Sequence, residues 1–368
     1  MTSTRTRPQS ATALAAEISN RLAAVMALRA TQAAAHGTDF AEFWHVASQC
    51  AQGGKLLRPR LLLGLFDALR APEHADPAAR TAAIDLAAAV ELLHFSFLLH
   101  DDLIDEDLVR RGVPNLIGRL AGVGALNASN GSVDVARLHW ARSSALLAGD
   151  LMLTIAHQMF ARVGVAEAAR LRALDVLDTA VTETVAGEYV DVGLSDAQIA
   201  PTLTLVLEMT RMKTATYTFE LPLRLAAIMA GAEHAVEQRL GDIGRHLGVA
   251  FQLQDDLLSA FDATAAHGKD LFSDFREGKE TALIACARLT SEWPHVERLL
   301  QAGDLSASAG RALQRLLESC GARAAVEAIV QDQLDIARGL LVADATSIPP
   351  AAADFLLDVM EQLRGRRA

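Results

Sequence analysis

Along most of the chain, apolar residues recur at intervals of three and four, which is the period of an amphipathic helix. The clearest runs are Leu14, Ile18, Leu22 and Val25; Leu147, Leu151, Ile155 and Met159; and Leu203, Leu207 and Arg211 onward to about Ala232. The period-two alternation of half-buried strands is hard to find. Gly- and Asn-rich stretches at 122–134, around Gly187 and at 267–278 are expected to be loops or kinks between helices.

Several of the predicted helices are apolar on nearly all sides, which is typical of helices inside a bundle. No Pro-, Gly- or Ser-rich linker marks a domain boundary. We therefore predict an all-α fold in which residues 13–363 form a single domain, a multi-helix bundle. Residues 1–12 are expected to be a disordered tail and 364–368 a basic tail.

Composition agrees with helices, because 51% of the 368 residues are apolar but only 5% are aromatic. The formal net charge of −11 argues against a nucleic-acid partner, since phosphate binding needs a basic field. No apolar run of about 18 residues is free of charge, so we expect no membrane span. Cys50, Cys286 and Cys320 form no CxxC pair, and we expect free thiols in the cytoplasm.

Candidate chemistry begins with an acidic cluster in the run LLHDDLIDEDLVRRG, which follows two apolar turns. Asp101 and Asp105 are one helical turn apart on the same face, and Asp102 lies beside them. Such crowding at the end of a buried helix is destabilising unless cations neutralise it. Mg²⁺ suits this position because it prefers carboxylate oxygen and keeps waters and substrate phosphates in its shell. A solvated helix end is the alternative interpretation.

A second acidic cluster, Asp255 and Asp256 in FQLQDDLLSAFD, also follows an apolar helix, and we expect the two clusters to face one cavity. Basic residues without an evident ion-pair partner surround both motifs in the sequence. They are Lys55, Arg58, Arg110, Arg111, Lys213, Lys269 and Lys279. Carboxylates and cations at this density indicate a diphosphate held by Mg²⁺ on one side and by Arg and Lys on the other.

With these residues the chain resembles the trans-isoprenyl diphosphate synthases, the polyprenyl synthetase family that includes geranylgeranyl and farnesyl diphosphate synthases. The resemblance runs from about Gln52 to about Leu283. It rests on five ordered segments: GGKLLRP, HDDLIDEDLVRRG, GEYVD, KTATY, and FQLQDDLLS followed by GKDLFSDFREGKET. It implies the isoprenoid synthase type of all-α bundle around a central cavity, and head-to-tail condensation of isopentenyl diphosphate with an allylic diphosphate. It also implies a homodimer.

The resemblance implies roles for individual residues. The metal ligands, for three Mg²⁺ per active site, would be Asp101, Asp102, Asp105, Asp255 and Asp256. The allylic diphosphate would contact Arg110, Lys213, Gln252, Lys269 and Lys279. Isopentenyl diphosphate would contact Lys55, Arg58, His94 and Arg111. The catalytic set would be Asp101, Asp102, Lys213, Thr214 and Asp255. For His94 alone, a core histidine would be the usual interpretation.

Three positions depart from the family pattern. Ser259 replaces the last Asp of the second motif, Leu56 stands where many members carry Arg or Lys, and Glu188 replaces the usual Gln of GQxxD. Losing the carboxylate at Ser259 weakens the second motif only modestly if Asp255 is the direct ligand.

Product length is expected to depend on what blocks the cavity below the first motif. Leu93 and Phe97 share the helical face of Asp101, and Ser96 lies five residues before it. Phe97 narrows one side while small Ser96 opens the other. The resemblance implies that a bulky residue at either position shortens the product, so one bulky and one small residue imply an intermediate chain, and we predict the twenty-carbon product, geranylgeranyl diphosphate. Farnesyl and geranylfarnesyl diphosphate remain alternatives, as do a class I terpene cyclase and a non-catalytic subunit of a heteromeric synthase.

Overall fold

The computed structural model describes residues 11–70, 76–123, 134–261, 272–301, 306–343 and 347–365. The chain divides into two compact units, 1–174 with 228–231 and 175–227 with 232–368, and each is described by itself. The described residues are almost entirely helical, so the prediction of an all-α fold is confirmed. The single domain over 13–363 stays a prediction.

The first unit surrounds one long apolar helix. Its elements are α1 (Ala11–Ala34), α2 (Thr38–Cys50), α3 (Leu57–Leu69), α4 (Pro77–Ile104), β1 (Val109–Arg110), β2 (Val113–Pro114), α5 (Leu116–Ala121) and α6 (Val135–Ala161). Asp76 caps α4, since its side chain accepts a hydrogen bond from the Ala78 backbone N–H. Helix α4 packs mainly against α6 and also against α3 and α1. By length and composition α4 could cross a membrane, but 72% of its most apolar window is buried inside the protein, as in a core helix.

The second unit is built on a helix that passes through its interior. After α7 (Glu167–Ser195), which begins in the first unit, come α8 (Leu203–Thr210), a π-helix called π1 here (Arg211–Glu220), α9 (Leu221–Ala230), α10 (His234–Phe261), α11 (Ser273–Arg276), α12 (Ala282–Arg288), α13 (Trp293–Gln301), α14 (Ala307–Ser319), α15 (Ala322–Val342) and α16 (Pro350–Arg364). Helix α10 packs against π1 on one side and α15 on another.

All three predicted helical runs are helical in the structure, but the buried face of α6 is not the predicted one. The run from Leu147 to Met159 predicts an aliphatic core face, whereas Leu147 is 59% exposed. The buried face consists largely of small residues, among them Ala141, Ala145 and Ala148. Small side chains let α6 lie close against α4, so the larger leucines are turned outward.

The expected loop or kink at Gly187 is wrong. Gly187 lies inside α7, where a Cβ atom would stand 2.3 Å from the backbone N of Lys213 and 2.7 Å from its Cα. The glycine therefore serves close packing of α7 against π1 and not a change of chain direction. Of the other expected loops, the structure describes only 122–123, 134 and 272–278. Within these, α11 replaces part of the last loop and Gly278 adopts φ of +72°.

The predicted terminal tails fall mostly outside the described residues. The last two residues of the expected N-terminal tail, Ala11 and Thr12, already belong to α1. At the other end, Arg364 is the last residue of α16 and donates from Nη1 to Glu361 Oε1 at 3.0 Å. Arg364 therefore lies in α16, and residues 366–368 of the expected basic tail are outside the described residues.

Candidate functional site

The first aspartate cluster forms the C-terminal end of α4. Asp101 and Asp102 occupy the last turn and Asp105 is the C-cap, while Glu106 adopts left-handed φ of +58°. The Asp107 N–H donates to the Asp102 carbonyl at 2.9 Å and the Glu106 N–H to the Leu103 carbonyl at 3.4 Å, which is a Schellman ending. This ending fixes the orientation in which the chain leaves the helix.

The following hairpin carries the two arginines. Arg110 pairs with Val113, and between them Arg111 and Gly112 have φ of +55° and +76°, as a two-residue type I′ turn requires. The guanidinium of Arg110 spans two carboxylates, donating from Nε to Asp102 Oδ1 at 2.7 Å and from Nη2 to Asp101 Oδ2 at 2.8 Å. The structure therefore brings the first motif and Arg110 together.

Asp101 and Asp102 differ in their environments. The Asp102 side chain is almost fully buried, and its pKa is raised by that burial, against the opposing effects of Arg110 and a hydrogen bond from Asn115. Asp101 and the C-cap Asp105 are partly exposed. Asp101 and Asp105 are thus more exposed than Asp102, and Asp101 shares the guanidinium of Arg110 with Asp102.

Arginines of α3 and of the hairpin act on His94, which lies two turns before the aspartates on α4. Burial and the charges of Arg58, Arg110 and Arg111 hold the pKa of His94 well below its usual value. The loop before α3 adopts φ of +113° at Gly53 and +84° at Gly54, and a Cβ atom at Gly54 would lie 3.5 Å from an Arg111 nitrogen. The predicted isopentenyl diphosphate residues Arg58, His94 and Arg111 thus share one electrostatic environment. Lys55 is exposed in the same loop.

The low pKa of His94 predicts acid lability. The folded protein keeps His94 neutral, whereas the unfolded chain takes up a proton below about pH 6.5, so stability falls as the pH drops through that value. Between pH 7.5 and 5.5 the wild type should lose about 1.4 kcal/mol more unfolding free energy than the His94→Gln variant. Urea unfolding at the two pH values measures this difference. Equal losses in the two proteins would contradict it.

The second aspartate motif lies near the end of α10 in the second unit. Asp256 is buried and accepts a hydrogen bond from Gln252 Nε2 at 2.9 Å, while Asp255 is partly exposed. Ser259, in place of the last aspartate, is also partly exposed. Gln252, predicted to contact a diphosphate, therefore lies on the second aspartate motif. The nearby Asp262 and the predicted ligand Lys269 are outside the described residues.

Lys213 lies in π1 between two carboxylates of α7. Its Nζ is 2.8 Å from Glu188 Oε2 and 2.6 Å from Asp191 Oδ2. Both acids come from the GEYVD segment. Because Glu188 stands where the family usually has Gln, a second carboxylate lies beside the Lys213 ammonium group. Thr214, the next residue, is partly exposed.

The wide turns of π1 are supported by polar side chains. The Leu221 N–H donates to the Thr216 carbonyl five residues back, as in a π-helix. Thr216 Oγ1 and Arg211 Nη1 both donate to Glu183 Oε2, at 2.8 and 2.7 Å. These bonds, largely protected from water, hold Lys213 at a fixed position against α7.

Lys279 follows the short helix α11, and its Nζ lies 3.0 Å from Glu277 Oε2. The next residue, Glu280, is buried and accepts two hydrogen bonds from Arg288, at 2.7 and 2.9 Å. The Arg288 guanidinium also lies 4.0 Å from the ring centroid of Trp293. The loop that carries Lys279 is therefore anchored to the start of α13.

A family model described as polyprenyl synthetase matches residues 42–311, nearly three quarters of the chain. The chain belongs to the polyprenyl synthetase family. The trans-isoprenyl diphosphate synthase resemblance drawn from the five motifs is thereby confirmed.

Individual polyprenyl synthetase relatives agree. The chain is 32% identical over 241 residues to a geranylfarnesyl diphosphate synthase of Aeropyrum pernix, covering 64% of this chain and 66% of that protein, just under two thirds. It is 30% identical over 313 residues to a short chain isoprenyl diphosphate synthase of Methanothermobacter thermautotrophicus, covering 83% and 86%. A Corynebacterium glutamicum geranylgeranyl pyrophosphate synthase, crystallised with isoprenyl diphosphate and magnesium, superposes with a TM-score of 0.85 at 27% identity, covering 96% and 99%.

The residues predicted to set product length in this polyprenyl synthetase lie on different sides of α4. Leu93 is buried, Phe97 is partly exposed, and Ser96 is buried and donates from Oγ to the Gly149 carbonyl at 2.9 Å. Ser96 thus faces α6. A Cβ atom at Gly149 would lie 2.4 Å from His100 Nε2, so the two helices approach closely here.

Sequence reasoning missed two buried polar residues of the polyprenyl synthetase site. Glu91 lies one turn before His94. Burial raises the pKa of Glu91, and the charges of Arg58 and Arg111 oppose this rise. Glu91 Oε2 has no hydrogen-bond partner among the described residues. Asn115 caps α5 and contacts the aspartate motif. The i to i+3 spacing of Glu91 and His94 could have revealed the first. The position of Asn115 directly before a helix could have revealed a cap but not its other contacts.

Proposed function

We propose that this protein is a trans-prenyltransferase that joins isopentenyl diphosphate head-to-tail to an allylic diphosphate, releasing pyrophosphate, with geranylgeranyl diphosphate as its product. The arrangement at the end of α4 carries the proposal. One short hairpin connects an acidic helix end to a basic cluster, with Arg110 bonded to Asp101 and Asp102 and Arg111 beside the Gly53–Gly54 loop. A diphosphate chelated by a cation needs both signs of charge within a few ångströms.

Mg²⁺ fits the donors in the first unit. Asp101 and Asp105 offer partly exposed carboxylate oxygens, and the part of the chain that the structure describes contains no group of three or more His, Cys, Asp or Glu side chains that could hold a metal ion. Mg²⁺ is commonly bound through one or two carboxylates plus substrate phosphates and water, so such an open site suits it. Asp255 of α10, the partly exposed aspartate of the second motif, is proposed as a Mg²⁺ ligand in the second unit. Bound Mg²⁺ would stabilise negative charge on the departing diphosphate.

The chain's own residues supply the rest of the chemistry. Arginines around the site stabilise the charge that grows on the diphosphate as the allylic carbon–oxygen bond breaks. Apolar side chains of α4 exclude water from the allylic cation. The double bond of isopentenyl diphosphate then attacks this cation, which forms a carbon–carbon bond and leaves a new cation on the isopentenyl unit. A carbon next to that cation loses a proton to the released pyrophosphate, and its C–H electrons form the new double bond. This sequence needs no side-chain general base.

The experiment that tests the proposal is mass spectrometry of the products made with Mg²⁺ and isopentenyl diphosphate. Dimethylallyl, geranyl and farnesyl diphosphates are supplied separately as primers. We expect a discrete twenty-carbon prenyl diphosphate. A fifteen- or twenty-five-carbon product would keep the reaction and change the length assignment. A hydrocarbon or alcohol formed without isopentenyl diphosphate would establish a terpene cyclase, and no product from any primer would favour a non-catalytic subunit.

Product length gives a more specific prediction. Phe97 lies one turn before Asp101 on the same face of α4, where a growing chain extends away from the diphosphate end. Phe97→Ala is expected to lengthen the main product by at least one five-carbon unit, read by the same mass spectrometry. Phe95→Ala, two residues away on another face, is the matched control. An unchanged product from Phe97→Ala would remove Phe97 from the cavity floor.

We further propose that the protein is a cytoplasmic homodimer. Support comes from α6, on which Trp140 and Leu147, two turns apart, are 52% and 59% exposed, and Leu146 beside them is exposed as well. A second copy would cover this apolar strip. Sedimentation should give about twice the 39.2 kDa mass of one chain, and a 39.2 kDa species would contradict the dimer. The free thiols of Cys50, Cys286 and Cys320 suit a reducing compartment.

A further inference from the structure

Asn115 connects three separate parts of the chain around the first aspartate motif. It is buried, with only 7% of its surface exposed, at the start of α5. Its Oδ1 accepts a hydrogen bond from the Gly118 N–H at 2.9 Å, and its Nδ2 donates to the Asp107 carbonyl at 2.8 Å. The Asp107 N–H in turn donates to the Asp102 carbonyl at 2.9 Å.

In these contacts Asn115 uses both the oxygen and the nitrogen of its side-chain amide. Capping α5 requires an acceptor, which Asp and Ser also provide. Holding the Asp107 carbonyl at the same time requires a donor on the same side chain, which Asp lacks and Ser supplies only through the hydroxyl that also serves as the cap acceptor. The role of Asn115 in the aspartate motif can therefore be separated from its role as a cap by substitution.

The surrounding backbone leaves the motif little room to move. The Asn115 N–H donates to the Leu108 carbonyl at 3.1 Å, and a Cβ atom at Gly118 would lie 2.1 Å from that same carbonyl oxygen. The turn 105–108 is thus pressed against the first turn of α5. Beside these backbone contacts, the bond from Asn115 Nδ2 to the Asp107 carbonyl joins the turn to α5.

We propose that Asn115 is a positioning residue for the metal motif. It holds the turn that follows Asp102 through the Asp107 carbonyl, and so sets the direction in which Asp101 and Asp105 present their carboxylates to Mg²⁺. The inference rests on the proposed function, because it concerns the same aspartates.

Three variants of the full chain test this role. Asn115→Ser keeps a cap acceptor but has a single hydroxyl for both bonds, and Asn115→Asp keeps the shape and the cap but places an acceptor against the Asp107 carbonyl. Ser306→Ala is the control, because Ser306 caps α14 by accepting from the Ala309 N–H at 3.3 Å and lies far along the chain from the motif. Each protein is titrated with Mn²⁺ in the presence of inorganic pyrophosphate, and free Mn²⁺ is measured by electron paramagnetic resonance.

Asn115→Ser should weaken Mn²⁺ binding about tenfold and Asn115→Asp by up to about a hundredfold, the range found for residues that orient metal ligands. Ser306→Ala should bind Mn²⁺ as the wild type does while melting at a lower temperature. Circular dichroism melts check that both Asn115 variants are folded. Wild-type Mn²⁺ affinity in a folded Asn115→Asp protein would overturn the inference and leave Asn115 as a cap alone.

The outcome is separable from that of the proposed function. If the wild type makes no prenyl product but Asn115→Ser still loses Mn²⁺ affinity, the positioning role holds and the proposed reaction fails. If the wild type makes product and both Asn115 variants keep its Mn²⁺ affinity, the reaction holds and the positioning role fails. A wild type that binds no Mn²⁺ with pyrophosphate would overturn both.

Discussion

Asp101→Ala is expected to lower the rate of prenyl diphosphate formation about 1,000-fold while the helical circular dichroism stays unchanged. The substitution removes a carboxylate proposed to hold Mg²⁺ and also one of the two carboxylates bonded to Arg110. The released guanidinium keeps Asp102 as a partner, so the hairpin should remain folded. Steady-state assays with isopentenyl diphosphate and a saturating allylic primer measure the effect.

Glu106→Ala is the matched control for this prediction. Glu106→Ala also removes one negative charge from the same turn. The Glu106 side chain, however, is 72% exposed and pairs with Arg142 at 2.9 Å and not with Arg110. We expect its rate to stay within a few-fold of the wild type. If Asp101→Ala and Glu106→Ala were equally active, the assignment of Asp101 as a metal ligand would be wrong.

Gly187→Ala is expected to destabilise the protein by about 3 kcal/mol, at the upper end of the effects of overpacking. A methyl group at Gly187 would stand 2.3 Å from the Lys213 backbone N and 2.7 Å from its Cα. These are backbone atoms of π1 and cannot rotate away as a side chain could. Thermal and urea unfolding followed by circular dichroism measure the loss. Because π1 would have to move with Lys213, activity should fall as well.

Gly339→Ala makes the same chemical change in another helix. Gly339 lies in α15, and a Cβ atom there would meet nothing within 4 Å. Since alanine favours a helix over glycine by about 1 kcal/mol, this variant should be slightly more stable than the wild type. A Gly187→Ala protein as stable as Gly339→Ala would show that π1 can shift to admit a methyl group.

The two glycines also show why the fold could be predicted only in part. Apolar periodicity depends on local geometry, so the helices containing Leu14, Leu147 and Leu203 were predicted correctly. A glycine in the sequence carries two opposite meanings, a turn or a close contact, and only the neighbouring helix decides between them. The interpretation of Gly187 as a loop or kink failed for this reason.

The first aspartate motif could be predicted because its residues are close in sequence. One helical turn brings Asp101 and Asp105 together, and the RRG run supplies the adjacent arginines. Other contacts depend on how the chain returns after a turn. They are the pairing of Arg110 with both Asp101 and Asp102, the ion pair between Glu188 and Lys213, and the contacts of Asn115. Such contacts are set by backbone dihedral angles and by packing, which a residue pattern does not specify.

The π-helix has a consequence for insertions and deletions. Each turn of π1 closes through a bond five residues back, where an α-helix uses four, so Arg211–Glu220 holds an extra residue that adds no length to the helix direction. Deleting one residue there would allow ordinary α-helical bonding and leave α9 in its present orientation, whereas the same deletion in an α-helix would rotate the residues that follow by about 100° about the axis. Buried leucines such as Leu221 and Leu225 would then keep their places in the core. A gap in an alignment at 211–220 would therefore mark a chain in which this segment winds as an ordinary α-helix, without the wide turns that carry Lys213.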